Sequence, residues 1–228
     1  MARTQSVATP DGPVTVVFTD RADGDFAIDG PQAELDARRR AIVDRPWTWL
    51  RQVHGGEVVT VAAPGEAAGT EADGAVTTMP GCPLAVMTAD CAPVVLVADR
   101  GVAVAHAGWR GILAGVIDAA AAQLEAAGAR PVATLLGPCI NPEAYEFGAV
   151  ELDLAAANLG ESVRSRTSWG TPALDVPEAV VVACRRAGWP PPPRPVPCTS
   201  GAGYFSHRTR GEPDRQAAVV WIADGEGS

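Results

Sequence analysis

Two of the chain's three histidines lie in short glycine-rich segments, Arg51-Gln-Val-His54-Gly-Gly and His106-Ala-Gly-Trp-Arg-Gly. Between them in sequence stands Cys91, in Thr88-Ala-Asp-Cys-Ala-Pro. Two imidazole nitrogens and one thiolate form a borderline-soft donor set that suits zinc. Three protein ligands leave a coordination position for water or substrate, which points to catalysis more than to structure. The spacing is that of neither a zinc finger nor a His-Glu-x-x-His helix. The same residues admit a second chemistry, in which Cys91 is a nucleophile, His106 its base, and Asp90 or Asp73 orients the imidazole. A nearby cationic imidazole is what brings a thiol into thiolate form near neutral pH. A third reading is a buried free cysteine with two hydrogen-bonded histidines. Stoichiometric bound metal separates the first reading from the other two.

The elements that must position these groups are visible in the hydrophobic pattern. Leu84 to Thr88, Pro93 to Ala98 and Val102 to Ala107 are apolar, β-rich runs, expected as central strands buried on both faces. A hairpin of neighbouring strands would bring Cys91 beside His106, with His54 arriving from a separate loop. Further strands are expected over Val14 to Thr19, Glu57 to Ala62, Ala75 to Thr78 and Val132 to Leu136. Helices are expected over Ala33 to Asp44, Gly111 to Ala127, Ala149 to Leu159 and Val176 to Ala187, the second and fourth stopped by Gly128 and Gly188. The triple arginine within the first of these reads as a solvated helix face. Pro190-Pro-Pro-Pro, with further prolines at 195 and 197, forces an extended connector. Strands and helices intermix without strict βαβ alternation. The expected fold is therefore α/β of mixed-sheet, α+β character, with a central mixed sheet flanked by helices and residues 1–228 forming one domain.

The formal charge of −9 and a pI near 4.8 argue against binding along a nucleic-acid backbone. Well-placed arginines could still hold a small anion. The first ten residues lack the apolar run of a secretory peptide, so a cytoplasmic location is expected. The longest apolar stretches are interrupted by Asp90, Asp99 and Arg100, and no membrane segment is expected. Five cysteines without a tight pairing pattern argue against disulfides in a reducing compartment.

Several motifs in a fixed order carry a resemblance: Arg51-Gln-Val-His-Gly, Glu71-Ala-Asp-Gly-Ala-Val-Thr, Thr88-Ala-Asp-Cys-Ala-Pro-Val, His106-Ala-Gly-Trp-Arg-Gly, Gly137-Pro-Cys-Ile, Cys198-Thr and Tyr204-Phe-Ser-His-Arg. From about Trp49 to Ile222 the chain resembles the YfiH-type proteins, once named multicopper polyphenol oxidases and now regarded as zinc-dependent purine nucleoside phosphorylases. The resemblance implies zinc held by His54, Cys91 and His106. It also implies phosphorolysis of adenosine, inosine, guanosine and methylthioadenosine, with deamination of adenosine. Purine nucleosides and phosphate are then the partners, in a monomer or homodimer.

Within that reading Cys91 and His106 are also catalytic candidates, Asp90 is a candidate to orient a histidine or carry a proton, and Arg110 is the first candidate for phosphate. Asp73 reads as a turn residue in Glu-Ala-Asp-Gly, and Cys139 as a buried small hydrophobe. His207 and Arg208 lie where the chain closes over the pocket, with Arg208 a further phosphate or substrate candidate. Trp47, Trp49 and Trp109 are candidates for core packing or for stacking on a purine. Copper is less expected than zinc, because a multicopper oxidase needs many more than three histidines. A Cys-His hydrolase, a peptidoglycan-editing enzyme and a non-catalytic partner of a division assembly are the other readings. The chain departs from the family near its start, where Phe18-Thr-Asp-Arg-Ala-Asp-Gly-Asp-Phe replaces a glycine- and serine-rich turn with asparagine. On that ground weak phosphorolysis relative to deamination is expected, with Arg21 and Arg110 as the remaining cations.

Overall fold

The computed structural model describes residues 2–224. Its strands form two five-stranded sheets and a small hairpin of β10 (Arg164–Arg166) and β11 (Pro172–Leu174). The first sheet runs β1 (Arg3–Thr9), β2 (Gly12–Phe18), β12 (Gln216–Ile222), β6 (Leu84–Thr88), β3 (Thr48–Trp49) in spatial order. The second runs β4 (Val58–Thr60), β5 (Gly74–Thr77), β8 (Gly101–Ala107), β7 (Ala92–Ala98), β9 (Pro131–Leu136). Each sheet is mixed: β3 pairs parallel with β6 and β4 parallel with β5, and the other pairs are antiparallel.

The strand pleat explains the near-continuous apolar runs. Leu84 and Val86 of β6 pack inward against Val95 and Val97 of β7 and Val102 and Val104 of β8, forming the core between the sheets. The alternate residues Ala85 and Met87 face outward onto Leu35 of α1 (Gln32–Ile42), Phe26 and Trp47. On the far side, Val94 and Leu96 meet α2 (Trp109–Leu113), α3 (Val116–Ala126), α4 (Ala149–Leu159) and α5 (Val176–Arg186). A strand covered on both faces has no solvent side on which polar residues would be favoured. The mixed sheets flanked by helices agree with the expected class, but two sheets stand where one central sheet was expected.

Among the elements that differ from expectation, three show the physical reason. The helix expected over 111–127 is two helices, because Gly115 adopts φ +83°, a left-handed conformation that ends α2 and restarts the chain in α3. β1 has a polar sequence with mostly exposed side chains, as an edge strand permits, and so carries no apolar signal. β12 pairs with β2 on one side and β6 on the other, which makes the last described element a central strand. The proline connector is tied down by Arg194, which forms ion pairs with Asp175 and Glu178 at the start of α5. Among the described residues no helix is long and apolar enough to cross a membrane.

Candidate active site

β7 and β8 form a hairpin in which Pro93 faces His106 and Ala92 faces Ala107, so Cys91, just before β7, arrives beside His106. His54 enters from the loop before β4 with φ +60°, a conformation uncommon for a side-chain-bearing residue. The ligand atoms of His54, Cys91 and His106 lie within 4.8 Å of one another. Cys91 Sγ is 3.9 Å from His54 Nε2, and the two imidazoles meet edge to face with centroids 4.8 Å apart. Zinc bond lengths in a tetrahedron imply nitrogen–sulfur separations of about 3.6 Å, so the observed gap needs only a small contraction.

Asp73 builds this arrangement. Its side chain is fully buried and accepts from the backbone N–H groups of Val53 at 3.1 Å, His54 at 2.9 Å and Gly55 at 2.6 Å. It also holds His106 Nδ1 at 2.8 Å. That bond leaves Nε2 as the free ring nitrogen of His106. Burial works against the Asp73 carboxylate, but the bonds from His106, Gly55 and Val53 outweigh it and lower its pKa. The turn reading of Asp73 is thereby corrected: the carboxylate joins two distant segments instead of capping its own.

Cys91 and His106 are coupled. Burial pushes the thiol pKa up, but His106 and His54 more than reverse this and place it well below the usual thiol range. Burial likewise disfavours the His106 cation, and the Cys91 thiolate and Asp73 carboxylate overcome it and raise its pKa. The direction for the pair is therefore thiolate and imidazolium. Gly108 completes the cradle, because a Cβ there would lie 3.0 Å from both Cys91 Sγ and His54 Cδ2. Backbone without a side chain keeps the space between the three donors open.

Asp90 neither touches a histidine nor caps its own turn. At φ +96° it turns its carboxylate away to accept from Thr199 Oγ1 at 2.7 Å, Ser206 Oγ at 2.7 Å and Arg208 N at 2.6 Å. It thereby fixes the C-terminal segment that carries α6 (His207–Arg210) to the wall of a cavity of about 530 Å³. His54, Cys91 and His106 line that cavity together with Gln52, Tyr145, Arg208 and Arg215.

Of the other expected candidates, Arg110 is exposed, lies over the neighbouring Trp109 ring at 4.3 Å and is not on the cavity wall. Arg21 is held by Glu212 and stacked on Phe205 at 4.5 Å, also outside the wall. Trp109 packs edge to face on Phe147, Trp47 stacks on Phe26, and Trp49 lies under Arg39. The arginine of the expected solvated helix face is thus partly covered by two tryptophans. Cys139 is buried, and burial pushes its thiol up, as suits a small core residue.

The site holds residues that motif reading passed over. Gln52 clamps the end of β6 through both backbone groups of Met87, at 2.7 and 2.8 Å. It stood inside a quoted motif, where its neighbour His54 drew the attention. Tyr145 lies under the Arg208 guanidinium at 4.7 Å, and Arg215 carries no sequence signal beyond its charge.

The pattern of the multi-copper polyphenol oxidoreductase laccase family matches residues 20–223. The chain belongs to this family. As a member of this laccase family it is similar to a purine nucleoside phosphorylase of Streptomyces coelicolor, with 37% identity over 83% of this chain and 80% of the relative. It shows 36% identity to a purine nucleoside phosphorylase of Mycobacterium tuberculosis, covering 87% and 83% of the two chains. The fold matches Bacillus licheniformis YfiH with a TM-score of 0.80 at 22% identity, over 92% of both chains. A Neisseria meningitidis protein matches with a TM-score of 0.79 at 26% identity, over 98% of this chain and 99% of that one. The laccase family's name speaks of copper and its relatives' names of nucleoside phosphorolysis, so the chemistry must be argued from the site.

Proposed function

We propose that this protein is a zinc-dependent purine nucleoside phosphorylase that cleaves adenosine, inosine, guanosine and methylthioadenosine with phosphate and also deaminates adenosine. The observation that carries the reading is the His54, Cys91, His106 cluster on the wall of a nucleoside-sized cavity, in a chain whose relatives are named purine nucleoside phosphorylases. The donor set fits zinc, with two neutral-capable imidazoles, a thiol biased toward thiolate and a glycine cradle between them. Multicopper chemistry needs more histidines than the three present. When bound, zinc supplies Lewis acidity and brings a water's pKa toward neutrality.

The chain's own residues supply the rest. Asp73 keeps His106 in the tautomer whose Nε2 faces outward and holds the His54 loop in register. Asp90 seats the segment bearing Arg208, so that cations reach the cavity in which an anionic nucleophile must meet the sugar carbon. The cavity also removes nucleoside and nucleophile from bulk water, which strengthens each of these contacts. A cytoplasmic location belongs to the same proposal, since intracellular nucleosides and phosphate are its substrates.

One second reading has a specific observation behind it. Asp73, His106 and Cys91 are aligned as carboxylate, imidazole and thiol, the order a cysteine hydrolase uses. Metal analysis of the wild type and of H54A, C91A and H106A separates the two, alongside adenosine incubated with and without phosphate. Zinc lost in each variant, with adenine released only when phosphate is present and inosine formed without it, supports the phosphorylase. Zinc retained in all three variants, with selective alkylation of Cys91, moves the assignment to the hydrolase.

A further inference from the structure

The cavity wall carries two arginines, Arg208 and Arg215, and among the described residues neither forms an ion pair. The protein carries a net charge of −9, and among the described residues nine of its eighteen arginines form ion pairs, as Arg21 does with Glu212, Arg186 with Asp118 and Arg194 with Asp175. Arg208 and Arg215 differ from the other unpaired arginines in sharing one concave wall with the His54, Cys91, His106 cluster.

Both are anchored, Arg215 by backbone carbonyls around its guanidinium and Arg208 by the Tyr145 ring and its own backbone N–H. Arg215 Nη1 donates to the carbonyls of Glu212, Pro213 and Asp214 at 3.1, 2.7 and 2.9 Å, and its own N–H is fixed by Asp25 at 2.8 Å. Those three bonds occupy one nitrogen and leave the other donors of the fork uncommitted. Arg208 lies over Tyr145 and has its backbone N–H on Asp90, with only a long 3.4 Å contact to Glu146 O. Of the acids on the wall, Asp90 is committed to three hydrogen bonds, and Asp29 is exposed and forms no ion pair with either arginine. A guanidinium fixed in advance loses little freedom when it grips an oxyanion, and its planar fork matches phosphate oxygens.

We infer that Arg208 and Arg215 form the oxyanion subsite of this cavity and that its ligand is inorganic phosphate, the co-substrate. The inference rests on the phosphorylase reading for the identity of the anion, and it replaces Arg110 and Arg21 as the phosphate cations. On this reading the cations for phosphate come from the C-terminal segment and not from the altered N-terminal turn.

The test titrates purified protein with inorganic phosphate by calorimetry, against chloride at matched ionic strength, in the wild type, R208A, R215A, R208K, R215K and R110A. Saturable binding is expected in the wild type and R110A. Each alanine variant should bind about tenfold more weakly or worse, as loss of a charge-assisted bond implies, with partial recovery in the lysine variants. Thermal unfolding without phosphate shows separately that each variant is folded. No saturable binding to the wild type, or equal affinity in R208A, R215A and R110A, overturns the subsite. A parallel titration with adenosine monophosphate addresses the source of the anion. Binding of the nucleotide without any binding of free phosphate in the presence of adenosine overturns the co-substrate assignment. If phosphate binds through both arginines but no nucleoside is cleaved, the phosphorylase reading fails and the subsite stands. If nucleosides are cleaved with an unchanged phosphate KM in R208A/R215A, the subsite fails and the phosphorylase reading stands.

Discussion

Asp73 receives four donors on one buried carboxylate, three from the His54 loop and one from His106. Replacing it by asparagine turns one oxygen into a donor that faces backbone N–H groups. D73N should lose about 2–4 kcal/mol of stability, the cost of leaving buried charge-assisted bonds unmade. It should also hold zinc about 10–100-fold more weakly, since the imidazole loses its orienting partner. Urea unfolding and chelator competition read these separately. Lowered stability with unchanged zinc affinity would mean that Asp73 only braces the loop. Gly108 gives a milder version of the same experiment. Its φ of −66° suits alanine, so G108A should stay within about 1 kcal/mol of the wild type in stability. Its methyl, 3.0 Å from Cys91 Sγ and His54 Cδ2, should weaken metal binding measurably by the same competition assay.

At the scale of elements, the short C-terminal segment is held by charge more than by packing. Glu212 accepts from Ser206 N at 2.8 Å and from Arg21 and Arg210, and these bonds lower its pKa to about 2 from 4.5. A carboxylate whose folded pKa is depressed adds stability that is fully present above its unfolded pKa and lost as pH falls through the folded one. The window here runs from about pH 4.5 down to about 2. The wild type should therefore be more stable than E212Q at pH 6, and the gap should close progressively between pH 4.5 and 2 in denaturant unfolding series. A gap that stays constant over that range would show that Glu212 acts through shape and not through charge. The elements themselves were legible to different degrees. The β7 and β8 hairpin was readable because it is buried on both faces, and every residue of its two strands is apolar apart from His106. β1 was not, because a polar edge strand looks like a loop until a partner strand pairs with it.

Across the whole molecule the two sheets must approach closely where β9 runs out toward the site. Gly137 sits at that junction, and a Cβ there would lie 2.6 Å from Phe18 Cε1 of the first sheet and 2.8 Å from Pro93 Cγ of the second. G137A should cost about 1–3 kcal/mol by overpacking, seen as a lowered midpoint in thermal unfolding. A neutral result would show that the sheets can slide apart at this end. The donor types available were written in the residues, because scarce histidines and a cysteine between apolar runs limit what a chain can bind wherever they come to lie. The apolar runs likewise determined that β6, β7 and β8 would be buried. Only the tertiary structure decided which charged groups share the cavity. Arg110 stands inside a motif but lies over Trp109, and Arg215 belongs to no motif but lines the wall. Asp73 and Asp90 each bind partners 18 to 118 residues away. Hydrophobic periodicity reports which face of an element is buried. The direction of a single polar side chain depends on donors brought near it by segments distant in sequence, and no local pattern contains that information.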